Sequence, residues 1–358
     1  VRREPLILGG GPAGSAAAIA LARGGARPLV LERTRERGDA LCGGFLSWRT
    51  LAALERLGIA ADTLNPARAT RLRLFTRGRV VETSLPAPGL GVSRARLDAL
   101  LLAHAERHGA AIERGVTVRA LDGGAARTAD GALLPADALF LASGKHDIRG
   151  TARPAAARGE DPALGLRTRR RGGGVEPLVG DAIELHLFDR GYAGVVVQED
   201  GSANVCLAIR RSRLTEAGDP DRLLQALAAE VPAFGDRLAG DATAIEAIAN
   251  VPYGWRARDG TDGCYRLGDQ AAVIPSLAGE GMGIALASGV SAATAWLAGQ
   301  RAAAWQARFA RATARPVTVA RTIRAIAERP TRFAPLLPLA ARLGLIDAVA
   351  AATRIAQP

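Results

Sequence analysis

Leu6-Ile7-Leu8-Gly9-Gly10-Gly11-Pro12-Ala13-Gly14 decides how the rest of this chain is read. Three apolar residues make a short buried strand, and the spacing G-x-G-x-x-G follows at Gly9, Gly11 and Gly14. An alanine-rich helix is predicted from Pro12 to about Arg23, closed by Gly24-Gly25. Pro28-Leu29-Val30-Leu31 then gives a second strand ending in Glu32. Gly9 permits the tight turn, Gly11 lets backbone approach a pyrophosphate, and Gly14 lets helix and strand pack closely. The amides at the helix start, beside Pro12 and Ala13, face phosphate charge. Glu32 stands 18 residues past Gly14, placed to accept hydrogen bonds from an adenosine ribose. Arg33 is counted with the same site. This order of strand, loop, helix, strand and acid predicts a dinucleotide site, and NAD and FAD both fit it.

A second glycine-rich block lies near the other end. Cys264-Tyr265-Arg266-Leu267-Gly268-Asp269 reads as a strand and its exit, followed by Pro275 and then Gly279-Glu280-Gly281-Met282-Gly283. A helix is predicted from about Ile284 to Trp296. Asp269 suits ribityl hydroxyls, and the amides near Gly281, Met282 and Gly283 suit negative charge developing on a reduced flavin. A nicotinamide nucleotide has no comparable need, so this block favours FAD.

Between the two blocks, Arg94 begins a helix running to about His108, with Leu97, Leu100, Leu101 and Ala105 at helical spacing. His104 and His108 are read as surface or packing residues. Strands are expected over Ile112–Val118, with Val118 counted at the cofactor, and over Ala138–Ala142, ending at Ser143-Gly144. Leu121-Asp122-Gly123-Gly124 reads as a hairpin. Residues 148–174, rich in Arg, Ala, Pro and Gly, are expected to be a crossing region. Alternation over Ala182–Phe188, Gly194–Gln198 and Asn204–Ile209 then predicts antiparallel strands with one buried face, and a helix follows over Leu223–Val231. His186, Tyr192, Tyr253 and Trp255 are the candidates for a substrate-facing layer.

The fold expected is therefore α/β: a Rossmann-like FAD-binding domain of the glutathione-reductase type with an inserted antiparallel-sheet substrate domain. The FAD-binding part is assigned to residues 1–75, 90–150 and 261–300. The substrate domain takes 76–89 and 175–260, and 301–358 form a C-terminal helical region.

The chain has 358 residues, an apolar fraction of 48% and a mean hydropathy of +0.09, enough for a large core. Its formal charge is +12, yet the arginines are scattered and one basic residue alone, Lys145, is a lysine. Arg167, Arg169, Arg170 and Arg171 lie beside a glycine run read as a loop. No basic face accompanies a nucleic-acid recognition fold, so nucleic acid is not an expected partner. Cys42, Cys206 and Cys264 form no CxxC pair and no zinc spacing, so no metal site is expected. Sparse cysteines and an opening that leaves no room for a signal peptide suggest the cytoplasm. No apolar run reaches the roughly 18 residues of a membrane span; peripheral membrane contact is left open.

With these blocks in place the chain resembles FAD-dependent monooxygenases and oxidoreductases of the para-hydroxybenzoate-hydroxylase fold, especially the geranylgeranyl-reductase-related branch, over about residues 5–300. Four segments carry the resemblance: Gly9 to Gly14 with Glu32; Cys42-Gly43-Gly44; Arg94 with Leu97-Asp98; and Gly268-Asp269, Pro275 and Gly279-Glu280-Gly281-Met282. The family usually has Asp-Gly where this chain has Ser143-Gly144. Gly191-Tyr192-Ala193-Gly194 only partly matches the reductases' tyrosine–glycine–tryptophan block, and the halogenases' tryptophan-rich motif is not found.

The resemblance implies bound FAD, with NADH or NADPH as transient reductant and a hydrophobic small-molecule substrate. Hydroxylation of an aromatic or polyketide-like compound by molecular oxygen, through a flavin C4a-hydroperoxide, is put first. Reduction of a carbon–carbon double bond is the alternative, to which the C-terminal stretch from Phe333 to Leu339 is also suited. Cys42, Phe45, His186, Tyr192 and Pro275 are the candidate catalytic residues; Cys42 and Gly43 are also counted with the cofactor.

Overall fold

The computed structural model describes residues 4–356 apart from 37, 77 and 123. Gly123, placed above in a hairpin turn, and the opening Val1-Arg2-Arg3 lie outside the described residues. The strands on either side of Gly123, Val118–Asp122 and Ala125–Thr128, pair antiparallel.

Five parallel strands form the first sheet, in the order Cys264–Arg266, Leu139–Leu141, Leu6–Leu8, Leu29–Glu32, Ala111–Arg114. Its central strands, Leu6-Ile7-Leu8 and Leu139-Phe140-Leu141, are buried throughout, as parallel strands covered on both faces must be. The strand Cys264–Arg266 completes this sheet from the far end of the chain. Helix Pro12–Arg23 leaves the central strand and packs on helix Gly281–Leu297. The two come so close that a Cβ at Gly289 would stand 2.3 Å from the Ala13 carbonyl oxygen. Alanine and glycine are thus a packing requirement of this crossing.

Among the described residues the second sheet has nine strands. Its main path runs Asp241–Ala242, Ala163–Arg171, Ala203–Arg210, Gly191–Val197, Ala182–Phe188, Ala69–Thr76, Arg79–Gly91, Phe45–Leu46, and Glu246–Val251 pairs with Ala163–Arg171. Helices Val175–Val179, Pro220–Glu230 and Pro232–Asp236 cover one face around Phe75, Phe188, Leu223 and Phe234.

Three expectations are corrected here. The glutathione-reductase type requires two dinucleotide-binding units, but the described residues hold one parallel nucleotide sheet, and the other large sheet has no strand–helix–strand nucleotide unit. Nor is the second sheet purely antiparallel, because Ala69–Thr76 and Ala182–Phe188 run parallel. Finally, the crossing region contains the strand Ala163–Arg171, whose charged residues suggested a loop. Arg167 Nη1 donates to Asp39 at 2.7 Å and Nη2 to Glu246 at 2.6 Å, while Arg169 also pairs with Asp39. Neutralisation by acids distant in sequence lets this strand be partly buried.

Ile112–Val118 also divides. Gly115, at φ +77°, ends the strand Ala111–Arg114, and Val118 starts the separate three-stranded sheet. Helices Ala302–Ala312 and Ala314–Ala327 and the shorter Pro330–Phe333, Leu337–Arg342 and Leu345–Ala352 follow the second glycine block.

Candidate active site

The amino-terminal turn is shaped by backbone approach. Gly9 has φ +112°, and a Cβ there would meet the Ala142 carbonyl oxygen at 2.5 Å. At Gly14 a Cβ would lie 1.9 Å from the Gly9 carbonyl oxygen. These two glycines are structural, whereas Gly11, Pro12 and Ala13 line a cavity at the helix start. Glu32 Oε2 accepts from the Gly10 amide at 2.8 Å, and Oε1 accepts from the Thr34 amide and hydroxyl at 2.9 and 2.8 Å. Burial raises its pKa, but the Thr34 and Gly10 hydrogen bonds prevail and hold it below the ordinary carboxylate range. Arg33 lies at the exposed rim, 3.3 Å from His146. Val118 packs with Val116 and Leu121 against a separate apolar cluster and does not line the cavity.

The cavity, about 920 Å³, runs from this turn past the second glycine block to the C-terminal helices. Cys42, Gly43, Phe45, Arg94, Gly144, Asp269, Gly279, Gly281 and Met282 line it. A Cβ at Gly43 or Gly281 would meet no protein atom within 4 Å, so the bare backbone there leaves ligand space instead of serving packing. Gly281 and Met282 stand in the first turn of helix Gly281–Leu297, whose amides have no intrahelical acceptors. Arg94, bonded to Asp98 at 2.8 and 2.7 Å, adds positive charge. Burial opposes that charge, but Asp98 raises the guanidinium pKa above its usual value. Bare backbone, helix starts and a fixed cation fit a pyrophosphate and a flavin ring.

Lys145 also lines this wall, with Nζ 3.3 Å from Asp269 Oδ2. The Asp269 charge raises the Lys145 pKa against the effect of burial. In the sequence Asp269 reads as a ribityl contact, and nothing local links it to Lys145.

Beyond the glycine loops the large sheet supplies the wall. Ile183, Leu185 and Leu187 face the cavity, while His186 is fully buried among Phe75 and Phe234. His186 Nε2 is 3.1 Å from Glu184 Oε2, and Arg237 donates twice to Glu184 at 2.8 Å. Burial lowers the His186 pKa against the opposing pull of the Glu184 carboxylate. Glu184, despite burial, is held to about 2 by His186 and Arg237. His186 therefore does not line the cavity. Pro275 is buried between the lining residues Ile274 and Ser276, and Trp255 belongs to the cluster of Ala163, Val251 and Val273. Gly283 is buried within its helix.

With Tyr253, also a candidate from the sequence, and Ser276, which local sequence does not mark, the cavity is lined by Tyr192. Its hydroxyl lies 2.7 Å from Ser276 Oγ and accepts from the Leu277 amide at 3.1 Å; Tyr253 Oη is 2.9 Å from the same Ser276 oxygen. Burial raises Tyr192 well above the ordinary phenol pKa and pushes Tyr253 up to about 12. Cys206 faces the cavity as well, pushed up to about 12 by burial. Asn204 Nδ2 donates to the carbonyls of Cys42 and Gly43 at 3.0 Å each, fixing the loop that holds Cys42.

The end of the chain is clipped onto the second glycine block. Arg354 Nη1 donates to Glu280 Oε2 and the Ala278 carbonyl, both at 2.7 Å, and Glu280 is fully buried. Burial raises the Glu280 pKa against the Arg354 charge. Replacing Arg354 by methionine is expected to lower the Tm and destabilise the protein by about 3 kcal/mol, as loss of one partner of a buried pair does. A thermal melt followed by flavin fluorescence checks this; an unchanged Tm would contradict the clip.

The family described as FAD binding domain matches residues 2–132, the finding that replaces the glutathione-reductase assignment. Menaquinone reductase of Mycolicibacterium smegmatis is 35% identical over 122 residues, 33% of this chain and 30% of that protein. Over the first curated relatives the match spans 30–39% of their length. PqsL of Pseudomonas aeruginosa, solved with 2-aminobenzoylacetate, has a TM-score of 0.72 at 18% identity, covering 94% of this chain and 100% of that one. Halogenase PltM, solved with phloroglucinol and FAD, has a TM-score of 0.70 at 14% identity, covering 88% and 74%. These two likenesses speak for the fold. Residues 2–132 belong to the FAD binding domain family, and the chain has the para-hydroxybenzoate-hydroxylase fold of FAD-dependent oxidoreductases.

Proposed function

We propose that this enzyme reduces a carbon–carbon double bond in a long, apolar, prenyl-type substrate, with NADH or NADPH as reductant. The observation that carries the reading is the cavity's continuation beyond the glycine loops, between Leu72, Leu74, Ile183, Leu185 and Leu187 on one side and Phe333, Leu337, Ile346 and Val349 on the other. A small aromatic ring does not need an apolar wall of that extent. The Cys42-Gly43-Gly44 block and the likeness to a menaquinone reductase support the same direction.

FAD would be held by the Gly11–Ala13 turn, Arg94 and the Gly279–Met282 loop, and when reduced it supplies hydride-transfer chemistry. The protein's part is to bind the apolar chain, exclude water and deliver a proton. Tyr192 holds that proton at Oη, and Ser276 Oγ connects it to Tyr253 for resupply. Hydride and proton together add two hydrogens across the double bond, and one NAD(P)H is oxidised.

Anaerobic turnover with NADH or NADPH and a panel of prenyl and phenolic compounds tests the reading. The expected product is heavier by two hydrogens and contains no added oxygen. A product carrying one oxygen atom, formed only in air, would establish hydroxylation instead.

A further inference from the structure

We propose that the segment 330–352 docks on an anionic lipid bilayer and that the substrate reaches the cavity through it. Large apolar side chains exposed on the described surface are few, and they concentrate here. Leu336 is 56% exposed, Leu339 54%, Leu343 63% and Leu345 50%; Val80, Leu133, Leu178 and Leu297 are scattered elsewhere. Four such residues within ten positions form a patch of the kind that marks a partner or membrane surface.

The same segment is the cavity wall. Phe333, Leu337, Ala340 and Ile346 line the cavity from inside, while Leu339 and Leu343 face solvent and do not line it. One layer of short helices therefore separates apolar ligand space from an apolar exterior. Among the described residues no single helix is long and apolar enough to cross a membrane, and Pro330–Arg342 and Leu345–Ala352 meet at 94°. Such short, bent helices suit lying in the interface.

Charge selects the occupant. Arg329, Arg332 and Arg342 are exposed within or beside the patch, against one exposed acid, Asp347. The whole chain carries +12. Basic residues flanking exposed leucines match the apolar interior and negative headgroups of an anionic leaflet. A second copy of this chain would bring the same arginines toward one another. The access path rests on the apolar-substrate reading above, whereas docking is measured without turnover.

The test is co-sedimentation of the FAD-loaded protein with vesicles of phosphatidylglycerol or phosphatidylcholine. Binding to phosphatidylglycerol is expected to be at least tenfold tighter and to weaken with salt. The double variant Leu339→Glu/Leu343→Glu is expected to lose vesicle binding at least tenfold while keeping its FAD content and its turnover of a short-chain, water-soluble analogue. Arg332→Glu/Arg342→Glu, which leaves the leucines in place, is expected to lose the preference for phosphatidylglycerol. Absence of wild-type binding, equal binding to both lipids, or unchanged binding by the leucine variant would overturn the proposal. So would conversion of a dimer to a monomer by that variant with no vesicle binding by either form, which would assign the face to a second copy.

Discussion

Alanine in place of Gly14 is expected to strip FAD from the protein. The added Cβ would sit 1.9 Å from the Gly9 carbonyl oxygen and 3.1 Å from Ile7 Cγ2. The first obstacle is backbone, so no rotamer change relieves it. Helix Pro12–Arg23 must move away from the strand Leu6–Leu8, carrying the Gly11–Ala13 turn out of register with the second glycine block. Overpacking of this kind costs about 1–3 kcal/mol or more, and about 1.4 kcal/mol already means a tenfold loss of affinity. The measurement is flavin absorbance per chain after purification, with circular dichroism as a check on folding. Full FAD content in Gly14→Ala protein would mean that the helix start does not need the approach seen here.

The second large effect is expected at Tyr192. Replacement by phenylalanine keeps the ring against the sheet but removes the hydroxyl that contacts Ser276 at 2.7 Å. If Tyr192 delivers the proton, kcat should fall about 100-fold or more, the range for loss of a general acid, while FAD content and KM change little. Burial holds the phenol well above its ordinary pKa, so the donor stays protonated through neutral pH. Activity on this account falls only on the alkaline side, as the folded-state pKa is approached. Ser276→Ala should keep Tyr192 protonated but slow its resupply, giving a smaller loss. Tyr192→Phe protein with undiminished kcat would remove the residue from the mechanism.

What the sequence revealed, and what it hid, follows from the range of the interactions. Gly9, Gly11, Gly14 and Glu32 are legible because turn geometry and strand burial are local. The continuous Leu6-Ile7-Leu8 run marks a buried parallel strand without help from elsewhere. One fingerprint opens more than one flavoprotein architecture, so it could not separate the glutathione-reductase type from the fold observed. At His186 the alternation was visible, but its parity relative to the cavity was not. The residues facing ligand space are Ile183, Leu185 and Leu187, and the histidine pairs with Glu184 behind them. Ala163–Arg171 was hidden because its charges are answered by Asp39 and Glu246, far away in sequence. The Arg354–Glu280 clip and the Tyr192–Ser276–Tyr253 group have the same origin: contacts across 74 residues in the first and across 84 and 23 in the second.

One FAD is expected to lie across both glycine blocks, with its adenosine half at residues 9–32 and its flavin half at residues 268–283. Titration of apoprotein with FAD and, separately, with FMN measures this. One FAD per chain, at least tenfold weaker binding of FMN, and competition by ADP-ribose for the adenosine half are expected. Equal affinity for FMN and FAD, or no flavin binding at all, would contradict that placement.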